Sequence, residues 1–219
     1  MSNEVTRERL AEIKTEFQRL IEFHEASFRE IDAKAKYWLT LSLPTFITLA
    51  GYLYKSGAQL ELPLLVSGYA LATILFIATF LLSYVLGSRR VESGILKPTS
   101  NEFSDVGYYL KTNETWCEYL DDQTAETLRA AGHNETQNNI KSRWLRLGEV
   151  SLLRGAPTAV CVGGGGAFAY TAASPSGLAA ATPALAGAAA GIAIGGATAA
   201  VFVAISHFRT LSREKHKAA

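Results

Sequence analysis

The sequence predicts an all-α integral membrane protein: an oligomeric helical bundle with four transmembrane helices, arranged as two hairpins, plus long cytosolic helices. Three observations carry this. First, four stretches lack any charge, at 37–54, 63–87, 156–173 and 183–206. A helix needs about 20 apolar residues, and sometimes as few as 17, to cross the hydrocarbon core. Second, the charges are confined to 1–36, 89–154 and 207–217, with Lys55 and Glu61 between the first two runs. Third, four spans leave Lys55 as the single basic residue on one side and the other 20 of the 21 Lys and Arg on the opposite side. Such a bias sets orientation by the positive-inside rule and places both termini in the cytosol at the inner membrane, as a multi-pass protein. Three spans would strand the basic tail outside.

The segments follow from this. Residues 1–36 are a cytosolic amphipathic helix, in which Leu10, Ile13, Phe17, Leu20, His24, Phe28, Ile31 and Ala35 recur at spacings of three and four, with Ile21 widening the seam. Glu4, Glu8, Glu12 and Glu16 line another face as solvated support. No Gly or Pro interrupts the pattern before Tyr37 and Trp38, so one helix continues into the first span, with those rings at the interface. The amino terminus lacks the apolar stretch of a signal peptide, which leaves the first span as the insertion signal. His24 on the apolar seam reads as a histidine satisfied by a neighbouring helix, since no second metal ligand lies one turn away.

Residues 37–87 are transmembrane hairpin 1. Only 55–62 separate its two runs, so they are antiparallel neighbours. Ser42, Thr45 and Thr48 fall on one face of the first, and Thr73, Thr79 and Ser83 on one face of the second. Hydroxyls in hydrocarbon need a partner, so these six either line a wet path or bond their own backbone and glue helices together. Pro44 interrupts the backbone ladder beside them and favours a kink.

Residues 88–155 are a cytosolic helical segment. A loop at 91–111 precedes a helix over 113–131, which Gly132 ends. Asn134 and Gln137 have the spacing of a capping box and start a second helix reaching Arg154. The sequons at Asn113 and Asn134 then lie in the cytosol and are chance matches. Residues 156–206 form a Gly/Ala-rich transmembrane hairpin 2, poor in Leu and Phe and therefore expected among other helices rather than bathed in lipid. Gly187, Gly191 and Gly195 make two overlapping GxxxG units for close helix packing. Residues 207–219 are a basic tail.

No enzyme signature is present: no P-loop, no nucleophile elbow and no zinc-protease motif. Cys117 and Cys161 are too few for a disulfide framework or a zinc site, and Glu118, Asp121 and Asp122 read as a solvated face, so neither cofactor nor metal is expected. A net charge of +1 gives no general pull toward nucleic acid. The candidate ligand residues are cytosolic: Arg89, Arg90, Lys141, Arg143, Trp144, Arg146 and Arg154. Arginine holds phosphate and aromatic faces stack bases, which suits a nucleotide or short oligonucleotide. The same composition suits a belt at the bilayer surface, with Arg on lipid phosphate.

The run Ile31, Asp32, Ala33, Lys34, Ala35, Lys36 at the entry to the first span resembles the "D-x-K-A" entry of Pycsar-type transmembrane effectors. With the tight hairpin, and with Asn138, Asn139, Ile140, Lys141 and Leu145, Arg146, Leu147 leading back to the membrane, residues 10–155 resemble SLATT-type effectors of bacterial anti-phage defence. The Gly/Ala-rich pair departs from a simple two-span pattern. What the resemblance implies is a homo-oligomeric channel or pore, a tetramer if four hairpins surround a narrow path. It would be gated by the nucleotide or oligonucleotide product of a partner nucleotidyltransferase and would disrupt the inner membrane in abortive infection. The alternative is a non-conducting membrane sensor or scaffold that recruits a soluble partner through its amino-terminal helix.

Overall fold

The computed structural model describes residues 2–56, 59–87, 92, 113–173 and 184–217. Among them the chain is all-helical, without a strand. The elements are α1 (Ser2–Ser56), α2 (Leu62–Leu86), α3 (Asn113–Val150), a π-helical turn (Ser151–Gly155), α4 (Ala156–Ala173) and α5 (Ala184–Lys217). Two helices, Leu62–Leu86 and the stretch Ala186–Ile205 of α5, are long and apolar enough to cross a membrane. The helices divide into two compact units, Met1–Asp32 with Ser88–Ser142, and Ala33–Gly87 with Arg143–Ala219. This division passes through the segment 88–155, because 143–155 pack with the apolar helices.

In the first unit the early part of α1 and most of α3 lie side by side in the same direction. Ile21 packs with Ala130 and Ala131, and farther along His24 meets Asn138 and Asp32 meets Lys141. The buried seam of α1 in this unit is Ile21, His24, Phe28 and Ile31. Ile13, Leu20 and Phe23 are exposed, Phe23 at 67%, and Phe17 is half-buried, so among the described residues full burial begins at Ile21.

The structure corrects the reading of Gly132 as a helix stop and of Asn134 as a cap. Both lie inside α3, which is one helix from Asn113 to Val150. Asn134 is fully buried, and its amide clamps the main chain of Glu92 at two points: Nδ2 donates to the Glu92 carbonyl at 2.8 Å, and the Glu92 N–H donates to Oδ1 at 2.9 Å. A mid-helix Gly costs about 1 kcal/mol relative to Ala, which the buried seam on either side offsets. Arg129 sits beside this clamp, ion-paired with Glu92 at 3.2 Å and with Glu126 at 2.7 Å. Its hydrogen bonds hold the Glu126 carboxyl below the ordinary carboxylate range and raise its own pKa further.

In the second unit α2 is the centre. Gly68 leaves room for Leu53 of α1, whose Cδ2 would lie 2.7 Å from an added Cβ. Gly148 does the same for Leu82, at 2.8 Å. On α4, Gly163 faces Val66 and Ala70, and Gly164 faces the Ser67 hydroxyl. On α5, Gly187 packs on Leu62 and Leu65, Gly191 on Val66 and Tyr69, and Gly195 on Ala70 and Thr73. These positions run in register along α2, so the GxxxG face is spent within the chain, and α5 lies parallel to α2. For Gly191 and Gly195 the nearest atoms are α2 carbonyl oxygens, at 2.6 and 2.7 Å from an added Cβ, and backbone cannot turn aside as a side chain can.

These contacts order the glycines by cost. Gly191→Ala or Gly195→Ala is expected to lower stability by about 1–3 kcal/mol through overpacking. Gly165→Ala and Gly196→Ala, where an added Cβ meets nothing within 4 Å, are expected to be neutral or to stabilise by about 0.5–1 kcal/mol. Thermal midpoints of the four variants in one detergent make the comparison.

Candidate functional site

The basic and aromatic candidates do not form one cluster. Arg89 and Arg90 lie outside the described residues. Lys141 belongs to the first unit and is 4% exposed, with its ammonium 2.7 Å from Asp32 Oδ1 and 4.8 Å above the Phe28 ring. A buried ammonium committed to a carboxylate and an aromatic face is a packing element, and it is not presented to a ligand from outside. Asn138 is next to it along the seam. Its Nδ2 lies 3.2 Å from His24 Nδ1 and donates to the His24 carbonyl at 3.0 Å, so His24 is satisfied by a neighbouring helix.

Arg143, Trp144, Arg146 and Arg154 fall in the second unit, where α3 leads into α4. Trp144 packs on Tyr84 of α2 with ring centroids 4.9 Å apart. Arg146 and Arg154 share a cleft of about 340 Å³ with Glu149, Val150, Leu153, Phe202 and Ile205. Both arginines are exposed, and neither has an ion pair or hydrogen bond to another described side chain. The Glu149 carboxylate accepts a hydrogen bond from the Trp38 indole at 2.9 Å.

The π turn explains how two arginines eight positions apart come to one cleft. At about 100° per residue an uninterrupted α-helix would set them about 80° apart. A π turn accommodates an extra residue and removes most of that offset. It also leaves the Ser151 hydroxyl buried without a hydrogen-bond partner. No feature of the sequence announced this turn.

Of the hydroxyl candidates, Ser42 is buried and accepts from Thr79 at 3.2 Å, joining α1 to α2. Thr45 bonds the Leu41 carbonyl at 2.7 Å and Thr73 the Tyr69 carbonyl at 2.8 Å, each one turn back in its own helix. Thr48 and Ser83 are exposed. Among the described residues the two stripes meet at the Ser42–Thr79 bond. A cleft of about 490 Å³ on α1 is lined by Ala11, Glu12, Thr15, Glu16 and Arg19, and two others are apolar: one of about 440 Å³ beside Phe46, Leu53, Tyr69, Phe76 and Ile192, and one of about 270 Å³ beside Leu62, Val66, Ala167, Tyr170 and Gly187. Among the described residues no group of three or more His, Cys, Asp or Glu is placed to hold a metal, and Glu118, Asp121 and Asp122 are exposed on α3.

The Asp32–Lys141–Phe28 group and the Asn134 clamp were missed as sites of polar burial. Their trace in the sequence is that Asn134, Asn138 and Lys141 continue the apolar spacing of α3 from Ala130 to Leu145. Asp32→Ala, which leaves the buried ammonium unpaired, is expected to cost about 3 kcal/mol; Lys141→Met combined with Asp32→Asn costs less, because no uncompensated charge remains. Denaturation midpoints of the full chain rank the two.

Comparison of the chain with protein-family models, with curated proteins and with solved structures finds no match.

Proposed function

We propose that this chain is a multi-pass membrane protein whose second unit is a bilayer-embedded bundle, and that it acts as an oligomeric channel or pore effector of bacterial anti-phage defence. The observation that carries the membrane part is the surface of the second unit. Leu41, Ile47, Leu64, Phe76, Phe80 and Phe168 are exposed on α1, α2 and α4, with Phe80 at 65% and Phe168 at 67%. Water-soluble proteins rarely expose contiguous apolar surface on this scale, whereas lipid covers it without cost. All four uncharged runs, at 37–54, 63–87, 156–173 and 183–206, then cross the bilayer, and the positive-inside count puts the first unit and both termini in the cytosol.

The channel part comes from the resemblance. Among the described residues the glycine faces close on α2, and Ser42 and Thr79 bond each other. A wet path then forms between copies, which makes conduction depend on a homo-oligomer, a tetramer in the simplest arrangement. A nucleotide or oligonucleotide made by a partner nucleotidyltransferase would gate it from the cytosolic side. That element, like the defence role, comes from the resemblance to SLATT-type and Pycsar-type effectors.

A second reading has its own observation. The exposed Ile13, Leu20 and Phe23 on α1 form an unpaired apolar edge suited to recruiting a soluble partner, as a non-conducting sensor would. The readings separate in two measurements. Liposomes carrying the protein are expected to pass ions when cyclic mononucleotides or short cyclic oligonucleotides are added, and a host overproducing it is expected to lose membrane potential. Flat traces in every condition refute the channel. Phe23→Glu lowers the mass of the detergent-solubilised particle if the edge joins copies. It leaves that mass unchanged and abolishes capture of a soluble protein if the edge recruits one.

A further inference from the structure

The cleft between the end of α3 and α5 has the chemistry of an amphiphile site. Arg146 and Arg154 both line it, brought to one side by the π turn, and neither guanidinium is engaged by another described side chain. The opposite character follows immediately. Leu153 is 61% exposed and Ile205 42% exposed, Phe202 lines the cleft with them, and Val201 is exposed one turn before Ile205 on α5. Two cationic donors beside exposed apolar side chains match one molecule with a phosphate head and an acyl tail.

We propose that this cleft binds the phosphate head of an anionic phospholipid, with Arg146 and Arg154 as donors and an acyl chain laid along Leu153, Phe202 and Ile205. The proposal rests on the membrane reading above and assigns to lipid two residues first considered for a nucleotide. Two features favour lipid over a nucleotide. Apart from Arg146, Glu149 and Arg154 the walls are aliphatic, with Phe202 as the single ring, and Trp144, the aromatic nearest in sequence, is already packed on Tyr84. Glu149 also lines the cleft, and a carboxylate there repels a polyphosphate more than a singly charged phosphodiester. Arginine offers forked donors to phosphate oxygens, which makes the contact geometric as well as electrostatic.

The test uses the full chain in mixed micelles of phosphatidylglycerol and phosphatidylcholine, with bound lipid counted by native mass spectrometry. Wild type is expected to retain phosphatidylglycerol over phosphatidylcholine by about tenfold, because both heads carry the phosphate and only the choline cation is repelled by the two guanidinium groups. Arg146→Gln with Arg154→Gln brings the two lipids to parity, and Arg129→Gln, in the first unit, leaves the preference intact. Ile205→Glu, which places a carboxylate in the cleft and keeps both arginines, also removes it and guards against misfolding of the double variant. Equal retention by wild type, or a preference untouched by both variants, overturns the proposal. Displacement of the lipid by millimolar inorganic phosphate or AMP overturns it in favour of a soluble phosphate ligand. Release of the protein from membranes by alkaline carbonate refutes the membrane reading itself, and the lipid site with it; retention in membranes without lipid preference refutes only the site.

Discussion

The absence of a Cβ where α5 crosses α2 is the constraint on which the second unit depends. At Gly191 and Gly195 the nearest atoms across the interface are main-chain carbonyl oxygens, so the backbones touch. Helices that approach this closely gain dispersion contact along their length and leave no room for water between them. Gly163 and Gly164 repeat the arrangement from α4, and Leu53 fills the space beside Gly68 from α1. Leu65, Ile74, Leu82 and Val85 are buried beside these small residues, while Phe76, Phe80 and Phe168 remain exposed. The proposed membrane setting accounts for that exposed apolar surface.

The first unit is built on a different principle. Its seam carries Asn134, Asn138, His24 and Lys141 among aliphatic residues, and each has a specific partner. Polar groups buried this way contribute little net stability when paired and cost a great deal when unpaired. They therefore fix the register of α1 against α3 more than they strengthen it. A seam with such pairs tolerates few alternative alignments.

Local pattern made much of this legible. The spacing from Leu10 through Ala35, with no Gly or Pro before Tyr37 and Trp38, pointed to a single helix, and α1 runs from Ser2 to Ser56 with Pro44 inside it. The run 63–87 differs from α2 by one residue at each end. The four-residue spacing of Gly187, Gly191 and Gly195 pointed to close packing, though not to α2 as its object. What stayed hidden is what depends on distant partners. Asn134 has the look of a cap because capping is a local rule, yet its amide serves Glu92, 42 positions away. Ser42 and Thr79 share hydroxyl stripes with Thr45 and Thr73, but only the fold decides which pair bonds across helices and which bond their own carbonyls. The π turn has no composition signature, and with it went the convergence of Arg146 and Arg154.

The central claim, that the exposed apolar face of the second unit is covered by lipid, can be read at Cys161. This thiol lies on α4 in an uncharged run and is exposed on the isolated chain. In a Cys117→Ser background it is the single cysteine. A thiol in hydrocarbon has no water to ionise it and is out of reach of a charged reagent. In intact membranes a membrane-impermeant maleimide is therefore predicted to leave Cys161 unlabelled, with full labelling after denaturation in dodecyl sulfate. Rapid labelling of Cys161 by the charged reagent in the native state would place that face in water and contradict the account.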